Sequence, residues 1–387
     1  MPVAASVGDT RRTAHLAVEV AGAGRHPAAW RRADADPEAL FTARHHLDLA
    51  RLAAAAGVDL VALPDTFAPP GDDPTLVRGS LDAVAVAARV APAVPGIGLV
   101  PTATVTHTEP FHLSKAIATL DLVSRGRAGW EPAVSRTPEE AALFGRKPAA
   151  PADVLWREAA EAVEVVVRLW DSWEDDAVIR DVDTGRYVDR DKLHYIDFVG
   201  EFFSVKGPSI TPRSPQAHPL IVLRGDEPEG LPVAARWADV VRVAAPDLSA
   251  AGDARARVRR AVDGAGRDPD TVPVLLDVEI LLAPTSDSAP TQLDALDAHV
   301  PLPAATARVV GTPDDLVDLV AAATATGAAD GVTVVPLALP SGLRTLAGEV
   351  APRLLDRGLR LPADPRATLR ERFGLPRPAN VYAEGRS

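Results

Sequence analysis

The sequence predicts an α/β protein folded as a TIM-type (β/α)8 barrel, with a long insertion between the fourth helix and fifth strand and a C-terminal extension. Three observations lead there. Eight short apolar runs bounded by turn residues are spread along the 387 residues, and most are followed by a segment of helical periodicity. Alternating strands and helices imply a parallel sheet, and eight such units fit a closed barrel better than an open sheet. One polar stretch, 171–218, is too long for a plain connection.

The runs, in order, are His15–Val20, Val58–Leu63, Gly96–Val100, Ala128–Val134, Pro219–Leu223, Asp239–Val243, Val272–Leu282 and Gly331–Val335. The clearest helix covers Asp153–Leu169. There Leu155, Ala159, Ala162, Val163, Val166 and Leu169 recur mostly at three- and four-residue steps and form one apolar face. Thr312-Pro313-Asp314-Asp315 reads as a helix start, with a threonine cap, a first-turn proline and acids beside the positive end of the helix dipole. The insertion holds Trp173-Glu174-Asp175-Asp176 and Asp189-Arg190-Asp191-Lys192, and is expected to run partly extended across one face of the barrel. The tail, 357–387, is rich in proline and arginine and is expected to pack outside the barrel. The whole of 1–387 therefore reads as a single barrel domain carrying these two additions.

Composition removes several functions. The formal charge of −12 argues against a nucleic-acid or anionic-membrane binder, which needs a basic face. Without cysteine there are no disulfides, thiol nucleophiles or iron–sulfur ligands. Met1–Arg12 lacks the apolar core of a signal peptide and no stretch is long enough to span a membrane, so a cytoplasmic protein is expected. The nine histidines form no H-E-x-x-H or H-x-H pattern, and no metal site is expected. Gly22-Ala23-Gly24 is a glycine turn, because Pro27 stands where a dinucleotide fingerprint needs its third glycine. The Glu174–Asp176 cluster reads as a solvated face or loop, and His45-His46 cannot share one helix face.

Longer blocks are more specific. Lys115–Ser124 leads into Gly126-Arg127-Ala128-Gly129-Trp130; then come Leu169-Trp170-Asp171-Ser172-Trp173-Glu174-Asp175-Asp176, Asp191-Lys192-Leu193-His194, Gly200–Pro208 and Pro212-Arg213-Ser214-Pro215-Gln216. Gly311-Thr312-Pro313, Ala329-Asp330-Gly331 and Thr368-Leu369-Arg370-Glu371 follow. In this order the blocks resemble the luciferase-like flavin monooxygenases, in the branch of the nitrilotriacetate/EDTA, dibenzothiophene-sulfone and long-chain-alkane enzymes. The likeness runs from about Ala14 to Asn380. It implies a barrel that is usually a homodimer or homotetramer. It also implies reduced FMN from a separate flavin reductase, and oxygenation of a small organic substrate with O2.

The resemblance also suggests site residues. Thr102 and Thr104 match the end of the family's third strand, beside the flavin ring; ordinary packing at the barrel rim is the alternative. His26 matches a block after the first strand and is the candidate catalytic residue, with a loop-structuring role equally open. Other positions depart from the family pattern. Its asparagine, apolar pair and Thr-Ser read here Glu131-Pro132-Ala133-Val134-Ser135, and its phosphate-binding tyrosine is Trp156. Its Gln-Ala-Gly-Ser-Ser phosphate loop reads Arg224-Gly225-Asp226-Glu227. A serine can donate to phosphate, whereas a carboxylate only accepts. Two like charges about 4 Å apart repel by roughly 4 kcal/mol at an effective dielectric near 20. Arg224 offsets this only if it faces the site instead of pairing with Asp226 or Glu227. FMN binding is thus expected to be weak, altered or lost. The readings left open are a monooxygenase with a remodelled cofactor site, a partner subunit or small-molecule binder without flavin, and a flavin-independent enzyme using Glu131 and His26.

Overall fold

The computed structural model describes residues 13–69, 71 and 73–383. In chain order the strands are β1 (His15–Glu19), β2 (Leu60–Leu63), β3 (Gly98–Thr104), β4 (Gly129–Ala133), β5 (Val178–Asp181), β6 (Arg186–Val188), β7 (Phe198–Val199), β8 (Ser204–Val205), β9 (Leu220–Arg224), β10 (Val240–Val243), β11 (Val274–Leu282), β12 (Ala307–Gly311) and β13 (Gly331–Pro336). The helices that position the site are α1 (Ala43–Ala55), α2 (Ala83–Val90), α3 (Pro110–Ser124), α4 (Pro138–Phe144), α5 (Ala152–Asp171), α6 (Leu231–Trp237), α7 (Leu248–Gly264), α8 (Ser288–Asp297) and α9 (Pro313–Ala325).

Eight strands close into a parallel ring in the order β1-β2-β3-β4-β9-β10-β11-β13, with β13 returning to β1 and the β10–β11 pairing completing the circle. Each apolar run read from the sequence contributes one of these strands. The sequence reading missed β12. It lies beside the upper half of β11, Val278–Leu282, outside the ring, and carries Arg308 as its second residue. That arginine breaks the apolar run. It is matched by the Glu279 carboxylate 2.7 Å away on β11.

α5 runs to 20 residues and buries the face formed by Leu155, Ala159, Ala162, Val163, Val166 and Leu169. α9 starts as its sequence indicates: the Asp315 carboxylate accepts from the Thr312 N–H and hydroxyl at 2.7 and 2.8 Å. The barrel floor is apolar, with Ala17, Leu60, Ala62, Val100, Leu220, Val222, Val240 and Leu275 packed together.

The tail does not simply pack outside the barrel. Leu369, Phe373 and Leu375 enter this floor cluster and plug the N-terminal end of the ring. Gly98 makes room for the plug, since a Cβ there would lie 2.4 Å from a Leu369 methyl. Burying such side chains stabilises by about 1.5–3 kcal/mol each, which explains why apolar residues persist in a proline- and arginine-rich tail.

The insertion forms two small hairpins, β5–β6 and β7–β8. The second climbs along α5, where Glu161 accepts from the Glu201 and Phe202 N–H groups at 2.6 and 2.9 Å. The stretch on either side of these hairpins is clamped to the tail. Arg213 donates to Asp171 at 2.7 Å, to Asp175 at 3.0 Å and to the Pro378 carbonyl at 3.0 Å. Asn380 donates to the Asp171 and Trp173 carbonyls, and Arg377 pairs with Asp175. The Glu174–Asp176 cluster is therefore a loop, as expected, but its members are engaged: Glu174 with His194, Asp175 with two arginines and Asp176 with Lys192.

Candidate active site at the barrel mouth

In a barrel of this kind the C-terminal strand ends and the loops after them form the functional face. Here that face holds a buried ion network. Arg242, in the middle of β10, is 2% exposed and points among three carboxylates from other strands. It meets Asp277 of β11 in a two-pronged contact of 3.0 and 3.1 Å, Glu131 of β4 at 2.9 Å and Glu19 of β1 at 2.7 Å. Burial alone would lower the Arg242 pKa, but Asp277, Glu131 and Glu19 together raise it well above the ordinary value. Burial likewise pushes the Asp277 carboxyl up, and Arg242 and Arg224 more than reverse it. The polar groups of the network are satisfied from within.

The loop after β9 extends it. Arg224 donates to Asp226 at 2.8 and 3.1 Å and pairs with Asp277 at 3.0 Å. Asp226 uses its second oxygen to accept from the Ala244 N–H at 2.6 Å. Gly225 sits so close to Val241 and Val258 that a Cβ would fall within 2.8–2.9 Å of their methyls. Glu227 turns the other way, towards α5. It accepts from the Trp156 indole N–H at 2.8 Å and pairs with Arg136, which precedes α4. Trp156 and Glu227, both singled out from sequence, thus meet directly.

The remaining candidates lie elsewhere around the mouth. Thr102 and Thr104 are buried on β3 and line a cleft with Phe67 and His112. Ser135 follows β4, and its N–H donates to the Thr106 hydroxyl at 2.9 Å. His26 lines a separate cavity of about 350 Å³ formed by the loops after β1 and β2, together with Trp30, Leu40, Phe41, His46, Leu63 and Leu76. Both His26 ring nitrogens are engaged: Nδ1 accepts from the Ala28 N–H at 3.1 Å, so Nε2 carries the proton and donates to Asp297 at 3.0 Å. His46 lines the same cavity with neither ring nitrogen hydrogen-bonded, and burial, then His45, lowers its pKa. Glu131 is turned to Arg242 and is not among the residues lining this cavity, so the structure does not join it to His26.

Arg242, Asp277, Glu19 and Arg136 were missed in the sequence. A signal was present for the first two: an ionisable residue inside an otherwise apolar barrel strand, as in Val240-Val241-Arg242-Val243 or Val274–Leu282, must be paired if it faces inward.

A flavin phosphate needs free donors. At the positions where the resemblance expects them, the Trp156 N–H is bound to Glu227, which also holds the neighbouring Arg136, and Arg224 is bound to Asp226 and Asp277. These side chains offer no free donor to an FMN phosphate.

Comparison with known proteins supplies the lineage. The family model described as luciferase-like monooxygenase matches residues 21–308. N-acetyl-S-(2-succino)cysteine monooxygenase of Bacillus subtilis is 29% identical, across 95% of this chain and 98% of its own length. Nitrilotriacetate monooxygenase component A of Aminobacter aminovorans is 29% identical across 93% and 96%. Among solved structures, EDTA monooxygenase from Chelativorans superposes with a TM-score of 0.85 at 24% identity, covering 95% of this chain and 99% of that one.

Proposed function

Because the chain belongs to the luciferase-like monooxygenase family, we propose that it is a member that binds a small, largely apolar organic molecule at the barrel mouth without retaining FMN by its phosphate. One observation carries this reading: the charged groups of the mouth are closed on one another, with Arg242 among three carboxylates and Glu227 on Trp156 and Arg136. Beside this network lies the apolar cavity of Trp30, Phe41, Leu63 and Leu76. Such a cavity selects by shape and apolar contact, with a few polar groups setting orientation. His46 supplies a neutral ring with an unused donor and acceptor. The engaged His26 supports a role in fixing the loop over the cavity.

A second reading has its own support. The match extends over nearly the full length of a family monooxygenase. In that reading reduced FMN arrives from a flavin reductase as a passing co-substrate, and the protein is a homodimer or homotetramer. Calorimetry with FMN and a reductase-coupled oxygen-uptake assay separate the two. The first reading expects no micromolar FMN binding and no uptake above a blank across a broad substrate panel. Uptake that depends on both protein and substrate would establish the second. Among the described residues no helix is long and apolar enough to cross a membrane.

A further inference from the structure

The two carboxylates of the β9–α6 loop are held differently. Asp226 is tied to a backbone N–H and to its neighbour Arg224, which makes it part of the loop's construction. Glu227 is held by two side chains remote in sequence, Trp156 and Arg136, and both reach the same oxygen, Oε2. The Glu227 side chain is 31% exposed, at the rim of the mouth. Trp156 is 5% exposed, and its ring lies where a Cβ on Gly230 would come within 2.8 Å. The indole is therefore fixed, and its N–H needs an acceptor at that point whether or not Glu227 supplies one. A fixed N–H and a guanidinium converging on one oxygen make an anion site, and here a residue of the chain itself fills it.

We propose that Glu227 is a resident anion that sets ligand specificity. Its carboxylate occupies the oxyanion site of Trp156 and Arg136, and so excludes ligands ending in a phosphate while leaving the same ligands without phosphate unaffected. The inference rests on the reading that FMN is not retained by its phosphate, and names the residue responsible.

The test uses the full chain, with Glu227→Ser and Glu227→Gln as variants and thermal unfolding to confirm that each folds. Inorganic phosphate, FMN and riboflavin are the probes, followed by calorimetry and by quenching of flavin fluorescence. Glu227→Ser is expected to gain phosphate affinity by at least about tenfold over the unsubstituted chain, with Glu227→Gln gaining less because its amide still fills the space. FMN should gain similarly and riboflavin should not change. Adding Trp156→Phe should abolish the gain. A folded Glu227→Ser protein that gains nothing for phosphate or FMN, or gains equally for riboflavin, overturns the inference while leaving the proposed function standing. Micromolar FMN binding by the unsubstituted chain overturns the proposed function instead.

Discussion

Two clusters of ion pairs stand at opposite ends of the barrel, the one at the mouth buried and the other partly exposed. At the N-terminal end, Asp171, Arg213, Asp175 and Arg377 clamp the insertion to the tail. At the mouth, Arg242 and Arg224 gather Glu19, Glu131, Asp277 and Asp226. The clamp is written in text that follows the luciferase-like pattern, in Leu169–Asp176 and Pro212–Gln216. The mouth network draws on text that departs from it, at Glu131 and the Arg224–Glu227 loop. Buried ion pairs are weak evidence of stabilisation, since well-packed apolar residues often serve as well. The mouth network is better understood by what it does to the site, which is to leave its charges with no call on a ligand.

The largest expected effect comes from removing the network's only fully central cation. Arg242→Met strands Glu131 and Glu19, both nearly buried, and leaves Asp277 with Arg224 alone. It should destabilise by about 3–5 kcal/mol in urea unfolding. A near-neutral result would mean that the carboxylates reach water, and that the mouth is open where it is described as closed.

The same change in the clamp sharpens the comparison. Arg213 and Asp171 are each 1% exposed, but Asp171 keeps His218 at 2.9 Å after Arg213→Met. The loss should therefore be smaller, about 2–4 kcal/mol, and should appear first as proteolysis of the tail. Equal losses at both ends would remove the distinction between scaffold and site.

Glu131→Asn places within the network the asparagine that the resemblance expects there. Arg242 then keeps Asp277 and Glu19, and only one charge-assisted bond is weakened. Destabilisation of about 1–2 kcal/mol is expected, by denaturant titration. A larger loss would show that Glu131, not Asp277, anchors the arginine.

These sites differ in how far the sequence exposed them. The barrel strands were legible because buried parallel strands are continuous apolar runs, and α5 and α9 because their periodicity and capping are local. β12 was not, since Arg308 interrupts it and its partner Glu279 lies 29 residues away. The tail plug was hidden because three apolar residues, Leu369, Phe373 and Leu375, are scattered among prolines and arginines. At the site, the sequence located the altered loop but left Arg224 free to face the ligand or to pair. Only three-dimensional proximity to Asp226 and Asp277 decides that, and only the fold brings Trp156 to Glu227 across 71 residues.

The smallest effect tests the clamp's electrostatics. Bonding to Arg377 holds the Asp175 carboxyl at about 2, below its usual 3.8; burial opposes this, and Arg213 adds to the lowering. A depressed folded pKa means the pair stabilises fully above the unfolded value, and that this contribution fades as pH falls from about 4 towards 2. The side chain is half exposed, so solvent screening limits the effect. Asp175→Asn should reduce stability at neutral pH by under about 1 kcal/mol. The gap between variant and unsubstituted chain should narrow steadily as acid protonates the carboxylate. Unfolding curves at a series of pH values measure that gap directly. If the gap instead stays constant into acid, the clamp at Asp175 acts through shape and neutral hydrogen bonds, and its charge contributes nothing to joining insertion and tail.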